Sequence, residues 1–162
     1  MGNGFNWKCD DCGYTFKAFL GVGFMFPMVY RETVQDMKRG KFGKQDKRFF
    51  KEHPNGAITC HNILLRCKKC GEYESGPELK LYVPKTDDFK LTDKGKWSVA
   101  FPFEGAEYVS DQDIKEHYDY YGQHEHKCSQ CNGKTEIIEP TDELECPHCK
   151  GIMKKAGAIL WD

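Results

Sequence analysis

Eight of the nine cysteines in this 162-residue chain fall into four Cys-x-x-Cys pairs: Cys9/Cys12, Cys67/Cys70, Cys128/Cys131 and Cys146/Cys149. Two such pairs supply four thiolates, enough to fill the coordination sphere of one tetrahedral metal ion. A spacing repeated four times is not a by-product of core packing, so two metal sites are expected. The most economical grouping joins Cys128 and Cys131 to Cys146 and Cys149, with fourteen residues between the pairs. That leaves Cys9, Cys12, Cys67 and Cys70 for the other site, with 54 residues between Cys12 and Cys67. Closing so long a loop adds little entropy, because the penalty grows only logarithmically with length. The other two ways of grouping four pairs remain open.

The spacing of the C-terminal set is that of a zinc ribbon, and the N-terminal set reads as a second ribbon enlarged by an insertion. Two Zn2+ ions are expected, in a structural role, since four thiolates leave no open position for water or substrate. A structural zinc contributes roughly 10–16 kcal/mol of apparent binding free energy. That matches the ~5–15 kcal/mol that holds an ordinary domain folded, so metal loss is expected to unfold most of the chain. Iron is the redox alternative, because tetrahedral thiolate ligation suits it as well.

The segment Trp7-Lys8-Cys9-Asp10-Asp11-Cys12-Gly13-Tyr14 resembles the first knuckle of rubredoxins and of the rubredoxin-like domain of rubrerythrins, over about ten residues. The resemblance implies iron at the first site and a partner knuckle of the form Cys-Pro-x-Cys-Gly. The next knuckle, Cys67-Lys68-Lys69-Cys70-Gly71, has lysine in the proline's place. Cys146-Pro147-His148-Cys149 carries the proline, but its ordinary ribbon spacing to Cys128 and Cys131 makes pairing it with Cys9 and Cys12 the less economical choice.

Cys-x-x-Cys pairs behind an N-terminus, Met1 to Lys8, that has no basic start and apolar core point to a reducing compartment, read as cytoplasmic. The longest uncharged stretch, Ala18 to Tyr30, is broken by Gly21, Gly23 and Pro27 and falls short of the ~20 residues of a membrane helix, so no span is expected. A net charge of −1 argues against a whole-molecule nucleic-acid footprint. The charge is uneven, with eight Lys or Arg against four acids over residues 31–52 and seven acids against Lys115 over residues 104–125. No nucleophile triad, phosphate-cradling loop or catalytic carboxylate pair emerges. Gly21-Val22-Gly23 lacks the third glycine of a dinucleotide site.

The fold class expected is α+β: two four-cysteine, rubredoxin-like β modules, a helical insertion in the first and a helix before the second. The boundaries read as 1–84 for the first ribbon with its insertion at about 19–56, 85–100 for a linker, and 101–162 for the helix and second ribbon. Within the insertion, Met28 to Arg39 is expected as a helix stopped by Gly40, with Val29, Thr33, Val34 and Met37 on one face. Gln45 to Glu52 should be a second helix, ended by the turn cluster His53-Pro54-Asn55-Gly56. Ala57 to Arg66 and Glu78 to Val83 read as strands, and Ser110 caps a helix expected over Asp111 to Tyr121. Cys60 reads as a small buried hydrophobe. His124, His126 and His148 crowd the last ribbon, where surface roles are favoured over a further metal site.

The sequence thus favours a non-enzymatic interaction module. Its candidate surface for a protein partner is Phe24, Met25 and Phe26 with the basic Lys38, Arg39, Lys41, Lys44, Lys47 and Arg48. The same basic residues, interleaved with Phe42, Phe49 and Phe50, support a nucleic-acid-binding alternative. A rubredoxin-like electron carrier is the third reading.

Overall fold

A computed structural model describes residues 2–23, 25–86 and 108–161. Phe24 and most of the expected linker, from residue 87 onward, lie outside the described residues. The architecture is α+β, with three helices and ten strands among the described residues in mainly antiparallel sheets.

Two compact units share the chain, and neither is continuous. The first comprises Met1–Phe24, His61–Glu78 and Glu125–Asp162; the second comprises Met25–Cys60 and Leu79–His124. The consecutive division at 84 and 101 therefore does not describe the fold. The reason is strand pairing between the chain's two ends, which no local pattern reveals.

In the first unit, β1 (Gly2–Cys9) pairs antiparallel with β10 (Ile152–Trp161) along its whole length, from Gly2 opposite Trp161 to Cys9 opposite Met153. With β2 (Thr15–Leu20) and β9 (Glu143–Glu145) they form a sheet of order β2-β1-β10-β9. A second sheet, β5-β4-β8, is built from β4 (Asn62–Cys67), β5 (Tyr73–Pro77) and β8 (Thr135–Ile138). A backbone bridge between Gly21 and Asn62 links β2 to β4. The core beneath gathers Trp7, Ala18, Leu20, Leu64, Tyr73, Leu144 and Met153 around the buried Cys9 and Cys146. Trp7 is fully buried, and its indole N–H donates to the Thr141 carbonyl at 3.0 Å.

The second unit packs α1 (Phe26–Arg39), α2 (Lys44–Glu52) and α3 (Asp111–His117) with a sheet of order β3-β6-β7. Its strands are β3 (Ala57–Ile58), β6 (Lys80–Pro84) and β7 (Tyr118–Gln123). Pro27 pre-sets the first turn of α1. Gly40, at φ 91°, ends that helix by donating its N–H back to the Asp36 and Met37 carbonyls. The buried stripe of α1 is Phe26, Tyr30, Val34 and Met37; Val29, expected on that face, is 45% exposed. The stripe is rotated because Tyr30 buries more apolar area than Val29 and also takes the Ile58 N–H on its hydroxyl.

Two boundaries move. The expected strand 57–66 divides into β3 and β4, which pair in different sheets, and Cys60 between them is buried with its thiol on the Thr33 hydroxyl. Burial pushes the Cys60 thiol pKa up, as an inert core cysteine requires. The helix at Asp111 begins as expected, with a reciprocal capping box between Ser110 and Asp113, but ends at His117 rather than Tyr121. Tyr118 to Gln123 instead pairs with β6, where Tyr120 meets the Tyr82 ring edge-on, a contact suited to aromatic side chains on a pleated surface.

Asp46 is a buried carboxylate among the described residues of this unit. It sits in the first turn of α2, where the helix dipole favours a carboxylate, and meets His124 Nδ1 at 2.9 Å. Asp46→Ala would leave His124 without that partner, and we expect a loss of about 3 kcal/mol in urea unfolding followed by helix signal. A change within error would mean that the pair contributes nothing.

Candidate metal centres

All four Cys-x-x-Cys segments adopt one local turn. The N–H of the first cysteine donates to the carbonyl five residues on: Cys9 to Tyr14, Cys67 to Glu72 and Cys128 to Gly133 at 2.8 Å, and Cys146 to Gly151 at 2.7 Å. The N–H of the residue after the second cysteine returns to the first cysteine's carbonyl, at 2.9–3.0 Å in all four. That residue has positive φ throughout: Gly13 at 75°, Gly71 at 81°, Asn132 at 57° and Lys150 at 65°. Each turn connects two antiparallel segments, so a hairpin delivers both sulfurs of a pair to its tip.

The hairpins meet in a different grouping from the economical one. Cys9 and Cys12 join Cys146 and Cys149 in a terminal centre, while Cys67 and Cys70 join Cys128 and Cys131 in an inner centre. In each set the four sulfurs lie within 4.8 Å of one another. The expected groupings, Cys9/Cys12/Cys67/Cys70 and Cys128/Cys131/Cys146/Cys149, are therefore both replaced. The pairings β1–β10 and β4–β8 decide this by bringing the first turn to the fourth and the second to the third.

The donor sets fit a tetrahedral ion. Sulfurs approach at 3.4 Å (Cys9–Cys149 and Cys67–Cys131), 3.5 Å (Cys70–Cys131) and 3.6 Å (Cys12–Cys146 and Cys70–Cys128). A tetrahedron of metal–sulfur bonds of about 2.3 Å places sulfurs about 3.8 Å apart. The cysteines are free thiols rather than disulfides. In the inner centre the N–H groups of Cys70 and Lys69 point at the Cys67 sulfur and hold its pKa down to about 6, whereas burial pushes Cys128 up to about 12. In the terminal centre, burial of Cys146 is outweighed by N–H donors from Cys149 and His148, which leave it at about 7. The Gly151 N–H pulls Cys149 down, but the Cys9 thiol and burial carry it to about 12. Four crowded thiolates repel one another, and a metal cation held among them would supply the compensating charge.

Glycine placement shows how the turns fit together. Knuckles one and two have glycine directly after the second cysteine; knuckles three and four have it one residue later, at Gly133 and Gly151. A Cβ on Gly133 would lie 2.9 Å from the Lys69 Cβ and 3.2 Å from the sulfurs of Cys67 and Cys131. A Cβ on Gly151 would strike Asp11, the residue equivalent to Lys69, and lie 3.3 Å from the Cys149 sulfur. Each centre thus joins one turn of each kind. Gly133→Ala is expected to lower metal affinity at the inner centre by about tenfold or more, on the scale of ~1–3 kcal/mol for overpacking. Competition with a chromophoric chelator would read it, and wild-type affinity would show that the contact is relieved elsewhere.

The three histidines do not converge. His124 pairs with Asp46, His126 Nε2 lies 3.2 Å from the Glu78 carbonyl oxygen, and His148 Nε2 lies 3.0 Å from a Glu72 carboxylate oxygen. The candidate partner surface is only partly exposed. Met25 is 39% exposed, but the Phe26 ring packs on Tyr30 and Tyr108. Arg39 and Lys41 both engage Asp36, Arg48 pairs with Glu52, and the Lys38 ammonium sits 5.3 Å from the Phe50 ring centroid. Lys44 and Lys47 lie on α2. No helix among the described residues is long and apolar enough to cross a membrane.

The fold and the two sulfur clusters define a chain that can hold metal at two closed four-cysteine centres. Comparison with known proteins finds no matching family model, no matching curated protein and no matching solved structure.

Proposed function

We propose that this chain is a non-enzymatic, zinc-stapled interaction module. The observation that carries the reading is closure: each centre offers four thiols at tetrahedral separation, so a bound ion has no vacant position for a substrate. Zinc then acts as a staple for the first unit. A protein partner is favoured over nucleic acid, because four of the six candidate basic residues are already engaged by Asp36, Glu52 or the Phe50 ring, while Met25 and Val29 stand exposed at the start of α1.

One observation favours a second reading at the terminal centre. The turn facing Cys9 and Cys12 is the proline-bearing Cys146-Pro147-His148-Cys149, which matches the Cys-Pro-x-Cys of the partner that the rubredoxin resemblance implies, with Lys150 in place of its glycine. Iron there would make the centre an electron carrier.

Elemental analysis and a visible spectrum on protein purified without added metal separate the two. Two zinc ions per chain and no colour are expected; iron with thiolate charge-transfer bands that bleach on reduction would overturn the structural reading. For the partner, a photocrosslinking residue in place of Val29 is expected to give a discrete protein adduct. Recovery of nucleic acid instead would overturn that part.

A further inference from the structure

We propose that the two centres fill as a coupled pair and that Glu72 is the residue that couples them. The inference rests on the metal-binding reading above and adds to it a positioning role for one side chain.

Tyr14 and Glu72 occupy equivalent places, each two residues beyond the second cysteine of its knuckle, and each carbonyl closes its own turn by accepting the first cysteine's N–H. Their side chains meet. The Tyr14 hydroxyl donates to one Glu72 carboxylate oxygen at 2.7 Å, and His148 Nε2 lies 3.0 Å from the other. The Tyr14 and His148 rings are themselves 4.3 Å apart. Tyr14 follows the first knuckle of the terminal centre and His148 lies inside the second. One carboxylate carried by the inner centre's turn therefore grips both halves of the terminal centre. The backbone beside it fits the same way: a Cβ on Gly71 would touch Pro147 at 3.6 Å.

Metal at the inner centre fixes the Cys67–Cys70 turn, and with it the Glu72 backbone. That presents the carboxylate to Tyr14 and His148 already placed, and removes an ordering cost that the terminal centre would otherwise bear. By linkage, metal at the terminal centre favours the inner one by the same factor. Hydrogen bonds to a charged group are among the stronger ones, and coupling of about tenfold is expected. A second route exists through the shared apolar core, where the Tyr73 hydroxyl donates to the Glu145 carbonyl beside Cys146. The test has to separate the two routes.

Apoprotein titrated anaerobically with Co2+ and read by native mass spectrometry reports the zero-, one- and two-metal species directly. In the wild type the one-metal species is expected well below the level that two independent sites give. Glu72→Ala should raise the one-metal species toward that level and weaken the second binding step by about tenfold. Glu72→Gln, which keeps an oxygen acceptor for Tyr14, should recover part of the coupling. Tyr14→Phe removes only the hydroxyl and should shift the distribution the same way, which keeps the idea testable if Glu72→Ala does not fold. Independent filling in the wild type would overturn the coupling, and unchanged coupling in Glu72→Ala would assign it to the core instead. A wild-type chain that binds no metal would overturn the reading beneath both.

Discussion

Stripping the metals with a chelator under reducing conditions is expected to melt the first unit and leave the helices of the second formed. Both centres belong to the first unit, whose 80 residues lie in three segments. Its apolar core includes two of the candidate metal ligands, Cys9 and Cys146, so its packing depends on residues that would hold the metal. Domains of that size draw marginal stability from burial alone, and each structural zinc contributes roughly 10–16 kcal/mol. The second unit is built otherwise. Tyr30, Met37, Phe49, Phe50, Ile58, Leu79, Leu81, Ile114 and Tyr118 form its core without a metal ligand. Loss of the first unit turns His61–Glu78 into a free loop between β3 and β6, and loop closure rises by only about 0.6 kcal/mol per doubling of length. Hydrogen exchange should therefore show protection lost over β1, β4 and β10 and kept over α1 and α2. Parallel loss in both units would mean that the whole chain depends on metal, as its cysteine count alone suggests.

The second large effect distinguishes the groupings of cysteines. Serine at Cys9, Cys12, Cys146 and Cys149 removes one complete centre and leaves the other intact, so one tightly bound metal is expected. Serine at Cys9, Cys12, Cys67 and Cys70 also removes four ligands, but it leaves two half-sites of two thiols each. Those half-sites should bind at least about a thousandfold more weakly, since half of a tetrahedral set forfeits much of the ~10–16 kcal/mol of the whole. Metal content after competition with a chelator reads both variants. One tight metal in the second variant and none in the first would restore the sequential grouping.

A signal for the grouping does lie in the sequence. Glycine directly after the second cysteine marks the first two turns, and glycine one residue later marks the last two. The clearance at Gly133 for Lys69 and at Gly151 for Asp11 shows that unlike turns fit together, which favours joining one of the first two turns to one of the last two. It does not choose between the third and the fourth, and the proline of Cys146-Pro147-His148-Cys149 is the remaining hint. The end of the helix expected over Asp111 to Tyr121 was less legible. Tyr118 to Tyr121 follows an adequate helix start and precedes Gly122, yet its aromatic residues gain more from pairing with β6 than from one further helical turn.

By itself the sequence determined the four sulfur-presenting turns, the α+β class, the two helices ending at Arg39 and Glu52, and the cap at Ser110. The turns, helices and cap rest on hydrogen bonds that span three to five residues, so the residues that make them are neighbours in the chain. Only the tertiary structure decided which turns share a centre and which segments share a unit. A Cys-x-x-Cys turn offers the same two sulfurs to any partner, and the choice was made by β1 against β10, with 142 residues between them, and by β4 against β8. Those pairings depend on burying Trp7, Leu64 and Met153 in one core, a condition on the whole chain that no window of sequence contains.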